Sequence, residues 1–208
     1  MFDEQSFEDM YRATDALWSG RPNVQLVREA ADLPAGTALD VGCGEGADAI
    51  WLAARGWRVT AVDFAATALQ RGAAAAAATA GAADRIDWVR ADVTRWAPDP
   101  GTFDLVSAQY MHLPPGERRV LFAALAAAVR PGGTLLVVGH DLAGHDAGEH
   151  RHAAPDRFFT AEEVVESLDR EEWHVEVAGS RPGARHEGRE VAVADVVLRA
   201  RREGDKPH

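Results

Sequence analysis

The 208-residue sequence predicts a single α/β domain. Its expected core is a mostly parallel seven-stranded sheet with helices on both faces, ending in an antiparallel hairpin. Three observations predict it. Apolar runs of strand length alternate with helix-period segments through the middle of the chain, and every connection is long enough for a crossover. At 39–49, LDVGCGEGADA, a short apolar run ending in an acid gives way to glycines at alternate positions and then to a small-residue helix. Near the end, two strands follow one another with no helix between them, which pairs them antiparallel.

The elements follow in order. TALDVG (37–42) is a buried strand, and the helix after it, about 46–55, stops at Gly56, where a positive φ costs least. WRVTAVD (57–63) is the second strand. The alanine-rich second helix runs up to Gly81, and alanine needs no function to explain it there, being the best helix former. RIDWVRADV (85–93) and FDLVSAQY (103–110) are strands three and four; a helix over 115–130 is closed by the turn RPGG, and TLLVVGH (134–140) is strand five. The helix TAEEVVESL (160–168) has Thr160 and Glu163 at capping-box spacing. WHVEVAG (173–179) and REVAVADVVLRAR (189–201) form the hairpin. Outside this core lie a helical cap over 1–30, a His- and Gly-rich loop over 141–158 that reads as a lid or a solvated loop, and a polar tail over 201–208.

Composition narrows the function classes. Hydrophobic residues make up 47% and charged residues 26%, an ordinary globular balance. The net charge of −11 repels phosphate backbones and anionic membranes, so neither nucleic acid nor membrane is expected and a small molecule is the favoured partner. The densest basic run, Arg199-Ala200-Arg201-Arg202, reads as a solvated strand end. One cysteine, Cys43, excludes an internal disulfide, and the acidic start MFDEQSFEDM lacks an apolar signal segment. A cytoplasmic location is the expectation.

Gly42, Gly44 and Gly46 fall where the first strand ends, on the carboxyl edge where open α/β sheets bind ligands. Asp63 ends the second strand 21 residues after Gly42, placed to accept from ribose hydroxyls. By spacing alone, a dinucleotide and S-adenosylmethionine both fit. Three features favour the second: the position of Gly46, one residue ahead of the third small residue of the dinucleotide pattern; Asp92, with Val93, at the end of strand three, suited to an exocyclic amine; and the terminal hairpin.

With these motifs in this order the chain resembles the class I S-adenosylmethionine-dependent methyltransferases, Rossmann-like enzymes, over nearly its whole length. LDVGCGEGADA looks like their glycine-rich loop, VTAVDF their acidic second-strand end, RADV their adenine contact, and FDLVSAQYMHLP and RPGGTLLVVG their fourth- and fifth-strand motifs. The resemblance implies that Asp40, Gly42, Cys43, Gly44 and Gly46 line the methionine part of S-adenosylmethionine. Asp63 would hold the ribose, Phe64, Asp92 and Val93 would flank adenine, and the Ala108–Gln109 backbone would lie near the sulfonium. WSGRPN (18–23) is similar to the segment that closes over the cofactor in the tellurite-resistance-like branch, which makes Trp18 or Arg21 a candidate contact.

Methyl transfer requires mainly that a nucleophile be held in line with the methyl group, and it needs a base only when the nucleophile arrives protonated. His112 and His140, both on the carboxyl edge, are the candidate bases, with substrate contact or a structural role as the alternatives for His112. Tyr110 and His140 are expected at the acceptor. His145, His150 and His152 invite a metal, but a loop pre-organises ligands poorly and no metal site is expected. Cys43 reads as a small residue that fits its loop. The expected activity is methylation of a small molecule. The rival readings are an NAD-dependent oxidoreductase and a non-catalytic binding module.

Overall fold

The computed structural model describes residues 4–141, 155–183 and 194–204. Two helices lead, α1 (Glu4–Ala13) and α2 (Val24–Ala30). Then come β1 (Thr37–Val41), α3 (Ala47–Ala54), β2 (Arg58–Asp63), α4 (Ala66–Ala77), a 3₁₀ turn (Ala83–Arg85) and β3 (Ile86–Arg90). The second half runs β4 (Phe103–Gln109), α5 (Pro115–Ala128), β5 (Val129–His140), a 3₁₀ turn (Pro155–Arg157), α6 (Ala161–Val165), β6 (Trp173–Pro182) and β7 (Ala194–Arg202). The sheet order is β3-β2-β1-β4-β5-β7-β6. Strands β1 to β5 pair in parallel, and β7 is antiparallel to both β5 and β6. This is the expected seven-stranded architecture. The order reverses between β1 and its two neighbours, so the crevice at their carboxyl ends is the natural ligand site.

Alternation along the central strands builds a core on each face of the sheet. Leu135 and Val137 of β5 face the cluster that holds Leu121, Phe122 and Leu125 of α5 and Val164 of α6. Leu136 and Val138 face the opposite cluster, with Leu26 of α2 and Leu52 of α3. Helix α1 instead lies on α4, with Phe7 edge-on to Phe64 at 5.5 Å and Tyr11 buried beside Ala65 and Ala68.

Several boundaries differ from expectation. The cap is two helices, because 14–23 is held in an irregular path by outside carboxylates described below. RPGG is a bulge inside β5: Phe103 pairs with Val129 and Leu105 with Thr134, so Arg130–Gly133 stand against Asp104 alone. Asp104 also pairs with Arg130. Strand β3 stops at Arg90, leaving Asp92 and Val93 in the turn beyond. The capping box at α6 is half formed: Thr160 Oγ1 accepts from the Glu163 amide (3.2 Å), but the Glu163 carboxylate goes to Arg118 (3.2 Å). Helix α6 ends at Val165, three residues short of the expected 168. The basic run is ion-paired within the fold. Arg199 reaches Glu29 and Glu176, Arg201 reaches Glu176, and Arg202 reaches Glu172. Residues 142–154, with the three loop histidines, the first part of the last expected strand (189–193) and the end of the tail lie outside the described residues. Among the described residues no helix is long and apolar enough to cross a membrane.

Candidate active site

The glycine loop is stitched to the end of β2. The Gly42 and Cys43 amides both donate to the Val62 carbonyl (2.8 and 3.0 Å), the Gly44 amide donates to Asp63 Oδ2 (2.9 Å), and the Gly46 amide to the Cys43 carbonyl (2.9 Å). Gly46 is the left-handed N-cap of α3, with φ +77°. A Cβ there would come within 2.3 Å of the Trp88 ring, and one on Gly72 within 2.6 Å. The third glycine thus serves the packing of Trp88 of β3, while Gly42 and Gly44 face other side chains. Met111 lies against Gly42, and the Tyr11 hydroxyl and Trp18 indole lie against Gly44.

Three carboxylates meet at this loop. Asp40 is 2% exposed, and its Oδ2 is a buried oxygen with no hydrogen-bond partner among the described residues. Burial, reinforced by repulsion from Asp48 and Asp63, pushes its carboxyl well above the usual carboxylate range. Asp48, in the first turn of α3, is pushed up to about 6 by burial, against the opposing effect of the Asn23 amide that donates to it at 2.6 Å. Asp63 accepts from the Gly44 and Ala65 amides (2.9 and 2.8 Å), and burial still raises its carboxyl. Burial and these acids also hold the Cys43 thiol protonated, in keeping with a residue chosen for fit.

That arrangement separates the two cofactor classes. A dinucleotide site offers free loop amides and a helix N-terminus to a pyrophosphate. Here the amides of Gly42, Cys43, Gly44 and Gly46 are engaged within the protein, and the space carries acids. An unpartnered carboxylate oxygen inside an acidic crevice fits a ligand bearing an ammonium and a sulfonium, such as S-adenosylmethionine, and opposes a pyrophosphate.

The remaining expected residues spread around the same edge. Phe64 packs on Phe7 beside Asp63. Asp92 Oδ1 accepts from the Thr94 amide and hydroxyl (2.9 and 2.7 Å), which holds its carboxyl low and ties it to its own turn, while Val93 buries its side chain in the core. Gln109 donates to Ser107 at 2.7 Å. Trp18 is 54% exposed and donates from Nε1 to the Tyr11 hydroxyl (2.9 Å). Arg21 is exposed in the same segment, its amide on Ser19 Oγ.

The sequence reading missed what holds that segment down. Glu45, inside the glycine loop, accepts from the Leu17 and Trp18 amides (3.2 and 3.1 Å) and pairs with Arg71 (2.9 Å), which also donates to the Tyr11 carbonyl (2.7 Å). Glu8 takes the Thr67 amide (3.2 Å) at the start of α4. Tyr11, within the expected helical cap, reaches the loop itself.

Tyr110, His112 and His140, expected at the acceptor, come together as stacked rings. Tyr110 and His140 centroids are 4.2 Å apart, and His112 and His140 are 5.2 Å apart, with Phe158 5.2 Å from His112. Tyr110 has φ +56°, a costly conformation for a side chain of that bulk. Behind the rings lies Asp195, another residue not foreseen. Among the described residues no group of acids, histidines and cysteine could hold a metal ion.

Part of the chain is similar to known methyltransferases. Residues 38–133 match a family model described as a methyltransferase domain. An uncharacterized methyltransferase of Mycobacterium tuberculosis is 39% identical over 127 residues, covering 60% of this chain and 61% of the relative. The trans-aconitate 2-methyltransferase of Paracidovorax citrulli is 34% identical over 123 residues, 56% of this chain and 44% of the relative. The chain therefore spans about three fifths or less of the length of these curated relatives. A structure described with the conversion of a disulfide bond into a thioacetal group in echinomycin biosynthesis superposes with a TM-score of 0.77 at 24% identity, covering 98% of this chain and 93% of that one. The N-methyltransferase NodS of Bradyrhizobium japonicum, solved with S-adenosyl-L-homocysteine, gives 0.69 at 22% identity over 96% and 97%. Residues 38–133 are thus similar to a methyltransferase domain, and the fold is that of NodS and of the echinomycin-biosynthesis structure. S-adenosylmethionine is the cofactor that this chain's crevice fits.

Proposed function

We propose that the whole protein transfers the methyl group of S-adenosylmethionine to a small-molecule acceptor. The observation that carries this reading is the buried, unpartnered Asp40 oxygen within a three-carboxylate crevice where the Gly42, Cys43, Gly44 and Gly46 amides are already engaged. When bound, the cofactor supplies an electrophilic methyl group. Asp40 and Asp48 balance its positive charges, Asp63 takes the ribose hydroxyls beside Phe64, and Gly42 and Gly44 give close backbone approach. Asp92, Val93 and Gln109 complete the adenine and sulfonium surroundings. Tyr11 and Trp18 close over Gly44, with Arg21 in the same strap, and exclude water. Tyr110, His112 and His140 form the acceptor wall. The net charge of −11 favours a small acceptor over nucleic acid. Calorimetry with S-adenosylmethionine, S-adenosylhomocysteine and NAD, followed by transfer of labelled methyl to a small-molecule panel, tests the reading. Binding of the first two and label in an acceptor are expected. NAD binding with indifference to S-adenosylhomocysteine overturns it.

A further inference from the structure

Arg118, near the start of α5, is 7% exposed, and its guanidinium joins three segments of the chain. Nη1 donates to the Leu113 carbonyl at 3.1 Å and to the Asp156 and Arg157 carbonyls at 3.1 and 3.2 Å. Nη2 donates to Glu163 Oε2 of α6 at 3.2 Å, and the guanidinium carbon lies over the Phe159 ring, 5.5 Å from its centroid. Leu113 follows His112, while Asp156 and Arg157 precede Phe158, and the rings of His112 and Phe158 are 5.2 Å apart. Arg157 ties the same two segments a second time, donating to the His112 carbonyl at 3.4 Å.

The two segments are anchored unequally. Phe159 sits over Gly139 of β5, where a Cβ would come within 2.5 Å of its ring, and packs edge-on to Phe122 of α5 at 5.3 Å. The turn after β4 closes mainly on itself. Tyr110, at φ +56°, bonds the Val138 carbonyl through its amide (2.7 Å), but His112 then donates back to the Tyr110 carbonyl (2.9 Å) and Leu113 to the Met111 carbonyl (3.0 Å). Such short loops beside a left-handed residue keep one shape only where their surroundings fix them. A buried guanidinium must have its donors met, and its planar fork reaches groups lying in several directions, as a lysine ammonium on its single stem does not. We propose, resting on the methyl-transfer reading above, that Arg118 is a positioning residue of the acceptor wall. It carries the anchorage of Phe159 on β5 across to the turn after β4, and so fixes His112 and Phe158 against each other where the acceptor lies.

The test is Arg118→Lys in the full chain, which keeps a cation for Glu163 and loses the bridge between carbonyls. By NMR, the nuclear Overhauser contacts between the His112 and Phe158 rings should weaken and the Leu113 amide should exchange several-fold faster. The Gly44 amide, held by Asp63, should keep its rate. Calorimetry should find S-adenosylhomocysteine affinity unchanged. With acceptors that the wild type methylates in a small-molecule panel, kcat/KM for the acceptor should fall about tenfold or more, since a misplacement of about 1 Å can cost about 10²-fold. KM for S-adenosylmethionine should stay as it is. Ring contacts and Leu113 exchange like those of wild type in folded Arg118→Lys overturn the proposal, as do unchanged acceptor kinetics. Cofactor affinity that falls in parallel with acceptor turnover overturns it too, because Arg118 then supports the fold at large. Should that variant not fold, Gly139→Ala displaces Phe159 from β5, and the Leu113 amide, across the Arg118 bridge, should exchange faster; no change there overturns the proposal equally. Failure of the wild type to bind S-adenosylhomocysteine would sink the methyl-transfer reading, while the coupling through Arg118 would still be read in the free protein.

Discussion

Acidification should weaken binding of S-adenosylmethionine through the carboxylates of the glycine loop. Burial raises the Asp48 carboxyl from 3.8 to about 6, and burial also pushes Asp40 well above the usual carboxylate range. A raised carboxyl pKa means that the free protein takes up a proton as pH falls through that value, whereas a cationic ligand requires the ionised form. With Asp48 alone titrating near 6 and ionised in the complex, affinity at pH 5 should be about tenfold below that at pH 7, equivalent to ~1.4 kcal/mol. Calorimetry in two buffers of different ionisation enthalpy measures both the affinity and the proton released on binding at pH 6. Asp48→Asn, which removes the titrating group and leaves an oxygen for the Asn23 amide, should flatten the profile. Affinity that is constant from pH 5 to 7 with no proton release would refute the idea that these acids balance the ligand's charge.

Asp63→Ala should weaken binding of the same ligand by about 1–3 kcal/mol, the usual cost of unpaired polar partners. It should also lower stability, since the Gly44 and Ala65 amides lose their acceptor; unchanged affinity in a folded variant would show the ribose assignment to be wrong. Gly46→Ala should lower stability by about 2 kcal/mol or more in urea unfolding, combining left-handed strain with the Trp88 clash. Adding Trp88→Leu should recover the packing part of that loss. Arg71→Ala should speed hydrogen exchange of the Leu17 and Trp18 amides and increase S-adenosylhomocysteine dissociation several-fold, because Glu45 and the Tyr11 carbonyl lose their common partner.

The parts of the site built from local sequence were legible. The LDVGCGEGADA turn, Asp63 at a strand end and the terminal hairpin each follow from periodicity and from glycine's freedom at positive φ. What escaped depends on contacts between distant segments. Asp195 reads as an ordinary polar residue at a strand start until the ladder register sets it beside His140. Trp88 explains Gly46 only once β3 is seen to lie under the loop, and Glu45 looks like a loop filler until residues 17 and 18 fold back onto it. The RPGG bulge mimics a turn because its residues satisfy both conformations, and only pairing with β4 tells them apart.

A crystal structure with S-adenosylhomocysteine tests the central claim most directly. The account predicts the ribose hydroxyls on Asp63, the amino group facing Asp40, and the sulfur opening toward Tyr110 and His140. Adenosine bound elsewhere, with Asp40 Oδ2 still lacking a partner, would contradict it.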